Sequence, residues 1–281
     1  MTINAYTGPG NQRWHHRRST WRPTHEPIDT RQYGVEVIAE RDAKRYVTTH
    51  HYSASMPAAR LCIGLMRTTR AACRPELVGV AVFSVPITGA VITRWTGLPA
   101  PLGVELGRFV LDDSVPGNGE THCLGKAFRI LAQELPEVEA VVSFSDPMRR
   151  NGVDGQVITP GHCGIIYQAF SGRHVGRSRA RRLVLDPSGH VISERALTKL
   201  RNDESGAAYA YSQLLAAGAP RRNAGESGPA YVARAVSEGP FRRVRHPGNL
   251  CYVWPTRRAR KGLTAQFPTA LEYPKPWNTL V

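Results

Sequence analysis

The sequence predicts an α/β fold, because segments of strand composition alternate with segments of helical periodicity between residues 34 and 185. Residues 76–84 (ELVGVAVFS) and 139–146 (EAVVSFSD) have the apolar composition of buried strands. Residues 121–135 carry apolar side chains at helical spacing and follow a loop rich in Gly, Pro and Asn. Together these segments indicate a sheet with helices packed against it.

The individual elements follow from local composition. In chain order we expect a strand and a helix ending near Tyr46, strands at 61–66, 76–84 and 103–113, the helix 121–135 closed by Pro136, a strand at 139–146, a helix at 161–170 and a strand at 172–178.

Composition divides the chain into five parts. They are a flexible basic N-terminal arm (1–33), the core (34–185), a helical insertion in the C-terminal part that is a candidate for DNA contact (186–240), a late strand of the core (241–256) and a basic, Pro-rich tail (257–281).

The charge balance points to a polyanionic partner. The chain has 37 Lys and Arg against 22 Asp and Glu, a formal net charge of +15. Basic side chains that neutralise phosphates release condensed counterions, which favours nucleic acid. A general bias toward basic or highly soluble proteins is the alternative explanation.

Cysteine spacing and hydropathy exclude several classes of protein. The five cysteines, Cys62, Cys73, Cys123, Cys163 and Cys251, are an odd number without Cys-x-x-Cys spacing, which disfavours a disulfide framework or structural zinc site. The polar N-terminus does not resemble a signal peptide, and no apolar run approaches the roughly 20 residues that span a bilayer. We therefore expect an intracellular, cytoplasmic protein.

The segment His50-His51-Tyr52-Ser53 is the first candidate for chemistry. Histidine and tyrosine serve as metal ligands and as acid/base groups. A histidine favoured by the dipole at a helix C-terminus is the alternative, and the segment alone favours that alternative.

The second candidate joins Glu105-Leu106-Gly107-Arg108, on a strand, to the loop 116–121 (PGNGET) at a helix start. Backbone N–H groups at a helix N-terminus can hold a diphosphate, as in a CoA-binding loop. Alternatively, Asn118 or Thr121 only caps the helix.

Asp146 and Tyr167 complete the set of candidates. Asp146 ends a strand, and ligands of open α/β sheets bind beyond the carboxyl ends of strands. A turn-forming Asp-Pro and a core tyrosine are the alternatives. The sequence contains no adenine-methyltransferase motif, no zinc-deaminase signature and no Walker A loop.

Taken in order, these motifs resemble the Mom-type DNA modification proteins of bacteriophages. The resemblance covers residues 34–185 and a late strand at Arg245–Tyr252. It is carried by His51-Tyr52-Ser53, Gly79 to Phe83, Glu105 to Arg108, Pro116 with Asn118, Glu120 and Thr121, Val142 to Asp146, and Gly164 to Ala169.

The resemblance implies a GNAT-like mixed central sheet flanked by helices. It also implies transfer of a carbamoylmethyl-like group to the exocyclic amine of adenine in double-stranded DNA, which protects phage DNA from restriction in the host cytoplasm. A CoA thioester and an iron ion are the implied cofactors, and a homodimer is compatible with the sequence.

The resemblance also implies residue roles. His51, Tyr52, Asp146 and Tyr167 would form the metal or catalytic cluster. Arg108 and Thr121 would also belong to the catalytic residues and would line the donor site. The acyl-CoA would be bound by Arg108, Gly117, Asn118, Gly119, Thr121 and Gly125.

Two other functions remain open at this point. One is a GNAT acetyltransferase acting on a small amine or protein, with an incidental basic arm. The other is a non-enzymatic DNA-binding protein with residues 193–202 (SERALTKLRN) as a recognition helix. Salt-dependent binding to duplex DNA would separate the first from the DNA-directed functions.

Overall fold

A computed structural model describes residues 10–23, 26–68, 74–152, 155–159, 161–257, 259, 261–263 and 266–275. Cys73 and the outer ends of the predicted arm and tail lie outside these residues. The chain divides into two compact units. The first comprises residues 1–147, 162–178 and 249–281, and the second comprises 148–161 and 179–248.

The described residues form short and long strands throughout the chain. The strands are β1 (Gly10–His15), β2 (Arg18–Pro23), β3 (Tyr33–Val37), β4 (Ala59–Arg67), β5 (Glu76–Ser84), β6 (Gly103–Leu111), β7 (Ala140–Ser145), β8 (Arg150–Asn151), β9 (Val157–Thr159), β10 (Arg173–Arg177), β11 (Arg181–Leu185), β12 (Val191–Ile192), β13 (Arg242–His246) and β14 (Leu250–Pro255).

Helices connect or cover these strands. They are α1 (Glu40–His50), α2 (Ala90–Thr96), α3 (Gly119–Glu134), α4 (Ile165–Ala169), α5 (Glu194–Arg201), α6 (Ala207–Ala216) and α7 (Gly228–Glu238), with single 3₁₀ turns at Thr30–Gln32 and Ala100–Leu102. None of the helices in the described ranges is long and apolar enough to cross a membrane.

The central sheet of the first unit is mixed. Within the described residues it has seven strands in the order β10-β14-β7-β6-β5-β4-β3. Strands β6 and β7 are parallel, and the other neighbouring strands pair antiparallel. The prediction of a mixed central sheet with flanking helices is confirmed.

Side chains alternate between the two faces of the sheet, so that each face packs against helices. Ile63, Phe83 and Val104 pack with α3 and α4 through Leu124, Leu131 and Tyr167 on one face. Cys62, Val80 and Val82 pack with α1 on the other face, and Ala140, Val142 and Val253 pack there with α2. Helices therefore cover both faces.

The parallel pairing of β6 and β7 is short. The register includes only Gly103–Glu105 of β6 and Ala140–Val142 of β7. Beyond these residues the pairing stops, and the Ser143 hydroxyl donates to the Leu106 carbonyl across the gap at 2.9 Å. The two strands thus open toward their carboxyl ends, where ligands of α/β sheets bind.

The second unit has its own core. Strands β12, β11 and β13 form a three-stranded antiparallel sheet, and β8 pairs with β9. Helices α5, α6 and α7 pack around the buried side chains of Leu197, Leu200, Leu214 and Tyr231. The predicted helical insertion at 186–240 lies within this unit and comprises β12 and the three helices α5, α6 and α7.

The segment predicted as a flexible arm instead carries a β-hairpin, in which β1 pairs with β2 through the whole of both strands. The Arg13 side chain on β1 is buried, forms an ion pair with Glu120 of α3, and donates to the Pro116 carbonyl at 2.9 Å. Arg13 therefore anchors the hairpin, whereas the sequence showed no strand periodicity there.

Two further expectations differ from the structure for local reasons. The helix expected at 161–170 is only Ile165–Ala169, because Gly164 has a φ of 78°, outside the helical region. The late strand expected at 241–256 is two strands in different units, because Gly248, with a φ of 101°, follows Pro247 and interrupts it.

Candidate active site

A cavity of about 200 Å³ lies at the opening between β6 and β7. Its lining residues come from β6, from the end of β7, from α4 and the segment before it, from the segment that follows α1, from the start of α3, and from the residue before β14. They are His51, Tyr52, Glu105, Leu106, Gly107, Arg108, Phe109, Val110, Leu111, Glu120, Phe144, Asp146, His162, Gly164, Ile166, Tyr167 and Asn249.

The structure brings most of the predicted site residues together. His51, Tyr52, Asp146 and Tyr167 all line this cavity, and so does Arg108. His51 and Tyr167 are separated by more than a hundred residues of sequence, yet both face the same space. The catalytic roles assigned to them remain predictions.

A bulge in β6 shapes the floor of the cavity. Arg108 pairs with Val82 and Leu106 with Phe83, so Gly107 is an additional residue between these two pairs. A Cβ atom at Gly107 would lie 2.4 Å from the Ser84 hydroxyl oxygen, which only glycine avoids. Bulges redirect the side chains beside them. Here the extra residue lies between the Arg108–Val82 pair and the Leu106–Phe83 pair.

His51 follows the last residue of α1, and its N–H closes the helix by donating to the Val47 carbonyl at 2.9 Å. The Ser53 N–H donates to Nδ1 of His51 at 3.1 Å, and the Ser53 hydroxyl lies 2.9 Å from the same atom. Burial lowers the pKa of His51 well below its usual value, with smaller contributions from Arg108 and His162. His51 is therefore a neutral imidazole with its proton on Nε2.

Arg108 holds the segment after α1 against β6. Its Nε donates to the Ser55 carbonyl and its Nη2 to the Ser55 hydroxyl, both at 2.8 Å. Burial lowers the pKa of Arg108, opposed by the nearby Tyr52 and Glu105. The guanidinium thus fixes the chain that carries His51 and Tyr52, and it also adds positive charge to the cavity.

Tyr167 is buried, with 9% of its surface exposed, and it packs with Tyr252 and Trp254. Burial raises its pKa, and a hydrogen bond with Ser143 partly offsets that effect. Tyr167 is therefore both a core residue and a cavity residue. The two alternatives considered for it in the sequence do not exclude each other.

Two cavity residues were given no individual role from the sequence: Glu105 was noted only as part of the β6 motif, and His162 was not named. Burial raises the pKa of Glu105 above its usual value, although Arg108 opposes the shift. Burial lowers the pKa of His162, which lies beside Asp146 and donates its N–H to the Asp146 carbonyl at 2.8 Å. A carboxyl with a raised pKa and a neutral imidazole in one cavity are acid/base candidates.

The predicted cofactor loop lies beside the cavity rather than in its lining. Among loop residues 116–121, Glu120 lines the cavity, whereas Gly117, Asn118, Gly119 and Thr121 do not, and Gly125 lies further along α3. The Thr121 hydroxyl donates to the Asn118 carbonyl at 3.1 Å, which is a local role at the helix start. Thr121 is therefore next to the cavity but not a lining residue.

Two of the four residues in the predicted metal cluster, His51 and Tyr167, are not arranged as metal ligands in this structure. Nδ1 of His51 accepts from Ser53, so the proton of the neutral ring is on Nε2 and neither nitrogen offers a lone pair. The raised pKa of Tyr167 also opposes formation of a phenolate ligand. His51 and Tyr167 therefore offer no ready ligand atom to an iron ion in this arrangement.

The fold and cavity define an α/β protein with a candidate active site at the carboxyl ends of two splayed parallel strands.

No curated protein sequence matches the chain. A solved structure described as a tandem GNAT protein from the clavulanic acid biosynthesis pathway, without AcCoA, is similar at 8% identity and a TM-score of 0.38, covering 79% of this chain and 98% of that one.

The sequence model of the Mom protein family matches residues 32–225, well over half of the chain. The chain therefore belongs to the Mom protein family. The match includes β3 to α6 and thus all the predicted site residues. It also extends beyond residue 185, where the continuous part of the resemblance ended, but it does not include the late strand at Arg245–Tyr252.

Proposed function

We propose that this protein modifies DNA by transferring an acyl-derived, carbamoylmethyl-like group to the exocyclic amine of adenine. The observation that supports this most strongly is the convergence of His51, Tyr52, Asp146 and Tyr167 on one cavity in a member of the Mom family. A phage-encoded protein with this activity would act in the host cytoplasm.

Acid/base chemistry in the cavity supports transfer to an amine. An amine that attacks an activated carbon must lose a proton, and Glu105 is a carboxyl whose pKa is raised by burial, which makes its carboxylate a stronger base. His162 and Asp146 provide a second proton-transfer pair on the opposite side of the gap. Tyr167, held by Ser143, would orient the base.

An acyl-CoA would be the donor of the acyl carbons: attack of the amine on the thioester carbon forms an N-acyl bond, breaks the C–S bond and releases CoA as the thiol, and a carbamoylmethyl product would need a separate nitrogen source. Two features of the chain fit such a donor. The edge of β6 beyond Glu105 is not paired with β7, so its backbone can bind an extended amide-containing chain. At the start of α3, the amides of Glu120 and Thr121 are among those that a helix leaves without an i−4 carbonyl. These amides could receive a diphosphate.

The second unit offers a surface for the phosphates of DNA. Arg182 and Arg245 lie directly opposite each other on β11 and β13, and Arg243 lies on the same face two residues from Arg245. All three side chains are exposed. Like charges directly opposite each other destabilise a sheet, and a bound polyanion would relieve that repulsion.

Replacing Arg182, Arg243 and Arg245 with Gln tests the role of this surface in DNA binding. Each lost phosphate contact should lower the slope of log affinity against log salt by about 0.9. Replacement of the exposed Arg41, Arg45 and Arg129 of α1 and α3 removes the same charge and is the matched control. Equal losses in the two triple variants would show that only net charge matters.

The chemical activity is tested by expressing the chain in a bacterial host, digesting the host DNA to nucleosides and measuring their masses. The proposal predicts a deoxyadenosine of increased mass, absent with Asp146→Asn. Unmodified DNA with folded protein present would contradict it. Acetylation of a small amine or protein instead would favour an ordinary acetyltransferase, and tight DNA binding without modification would favour a DNA-binding protein.

A further inference from the structure

A cluster of histidines and one aspartate lies outside the candidate active site. His15 ends β1, His50 ends α1, and Asp112 follows β6, so three separate segments contribute. One potential ligand atom from each residue lies within 4.8 Å of the other two. Across the described residues, no other group of three His, Cys, Asp or Glu meets this condition.

The carboxylate in this cluster is already oriented. Oδ1 of Asp112 accepts from the N–H of Ser114 at 2.9 Å and from its hydroxyl at 2.6 Å. Oδ2 lies 3.3 Å from Nδ1 of His15. One carboxylate oxygen is thus fixed by the loop, and the other faces the imidazole.

The hairpin turn holds the histidines close together despite an unfavourable backbone. The two turn residues, His16 and Arg17, have φ values of 46° and 65°, a region that Gly and Asn favour in two-residue hairpins. The Arg17 N–H donates to the His50 carbonyl at 2.9 Å, and the His16 and His50 ring centroids are 5.3 Å apart. Non-glycine residues in this region often mark a functional constraint.

We propose that His15, His50 and Asp112 bind one divalent transition-metal ion. Two imidazole nitrogens and one carboxylate oxygen are a donor set that such ions accept, with a further position open to water or to His16. The His50 ring can turn to present a nitrogen, because it is only half-buried and its contact with the His16 N–H is long at 3.4 Å. His51, in contrast, is buried and held by Ser53.

The ion would join the hairpin to the body of the first unit. It would connect β1 to α1 and to the end of β6, two residues from Arg13, whose partner Glu120 lines the cavity. This role is independent of the group transfer proposed above. It fixes the hairpin that holds Arg13 beside the cavity.

Metal binding can be measured on the full chain after removal of bound metal with a chelator. Titration with Zn²⁺ in a calorimeter should show one equivalent bound, and Co²⁺ should give visible absorption bands of a nitrogen and oxygen ligand set. Loss of an outer-shell partner weakens metal binding by about 10- to 100-fold, so His15→Ala and Asp112→Asn, which remove proposed ligands, should each weaken it at least that much. His190→Ala is the matched control, because His190 is an exposed histidine whose Nδ1 lies 3.8 Å from the Asp186 carboxylate, away from the proposed ligands.

Proteolysis gives a second readout at the hairpin itself. Trypsin cleaves after Arg17 and Arg18 at the turn, and Zn²⁺ should slow this cleavage in the wild type but not in His15→Ala. Binding that is unchanged in both His15→Ala and Asp112→Asn, or no binding at millimolar metal, would overturn the proposal. Neither result would bear on whether the chain modifies DNA.

Discussion

Glu105 is a buried carboxyl group next to a positively charged side chain, and burial and charge have opposite effects on its pKa. It lies on β6 at the last position that pairs with β7, and burial raises its pKa while Arg108 opposes the shift. A carboxylate in such a place is unfavourable for the folded state but useful as a base. Two other residues that line the cavity, His51 and His162, are imidazoles whose pKa values are lowered by burial.

Replacing Glu105 with Gln should lower the rate of DNA modification by about 100-fold or more, because a general base contributes a factor of that order. It should also raise the free energy of unfolding at neutral pH. Because the pKa of Glu105 is raised in the folded protein, burial of the ionised carboxylate destabilises the fold above that pKa. This destabilisation disappears as the pH falls toward the usual carboxyl range.

Urea unfolding at neutral and acidic pH, together with the modification rate, checks both parts of this prediction. Glu134→Gln, at an exposed position of α3, is the control and should change neither quantity. A Glu105→Gln variant of unchanged rate would remove Glu105 from the catalytic proposal.

Sequence patterns predicted some residues of the cavity and assigned no role to others, and the difference has physical reasons. The positions of Asp146 at a strand end and of His51 at a helix end can be predicted, because each follows an element of clear periodicity. Glu105 was noted in the β6 motif but given no role of its own, because that role depends on burial beside a neighbouring strand, which the sequence does not show. His162 was assigned to a helix that in fact begins only after Gly164.

At the scale of elements, the contact between the N-terminal hairpin and α3 depends on one buried ion pair. Arg13 and Glu120 are 1% and 3% exposed, and burial lowers the pKa of Arg13 to about 10. The Arg13 guanidinium also donates to the Pro116 carbonyl before α3. The hairpin therefore packs against the loop proposed to bind an acyl donor.

Arg13→Ala should lower the free energy of unfolding by about 3–5 kcal/mol, because it leaves the Glu120 carboxylate buried without its partner. The double variant Arg13→Met, Glu120→Gln should recover most of this loss. Arg31→Ala removes an exposed pair with Asp29 and should lower the free energy of unfolding far less than Arg13→Ala does. Equal effects of Arg13→Ala and Arg31→Ala in urea unfolding would contradict the account.

The hairpin also shows why some elements could not be predicted. Its turn is His16-Arg17, without the Gly or Asn that usually identifies a two-residue turn. Its stability comes from contacts with α1 and α3, which are distant in sequence. Strands β4 to β7, in contrast, were predicted because their own apolar composition identifies them.

Considered as a whole molecule, the protein should lose stability in mild acid through its buried histidines. Burial lowers the pKa values of His51 and His162, so the unfolded chain takes up protons at these positions before the folded protein does. Their contribution to the free energy of unfolding is therefore present above the ordinary histidine pKa of about 6.5 and is lost as the pH falls below it.

The loss can be measured by urea unfolding at about pH 7.5 and about pH 5.5. His162→Gln should lose less stability between the two pH values than the wild type does. His190→Gln, at an exposed position of the second unit, should behave as the wild type. A His162→Gln variant with the full wild-type loss would show that His162 is not a buried neutral histidine.

The claim that the cavity modifies adenine in DNA is tested most directly by the fraction of mass-shifted deoxyadenosine in DNA from expressing cells. The comparison is between Asp146→Asn, in the cavity, and Asp186→Asn, at a turn of the second unit where the carboxylate accepts from the His190 N–H at 2.9 Å. We predict modified deoxyadenosine with the wild type and Asp186→Asn, and none with Asp146→Asn. Wild-type levels of modification with Asp146→Asn would contradict the account.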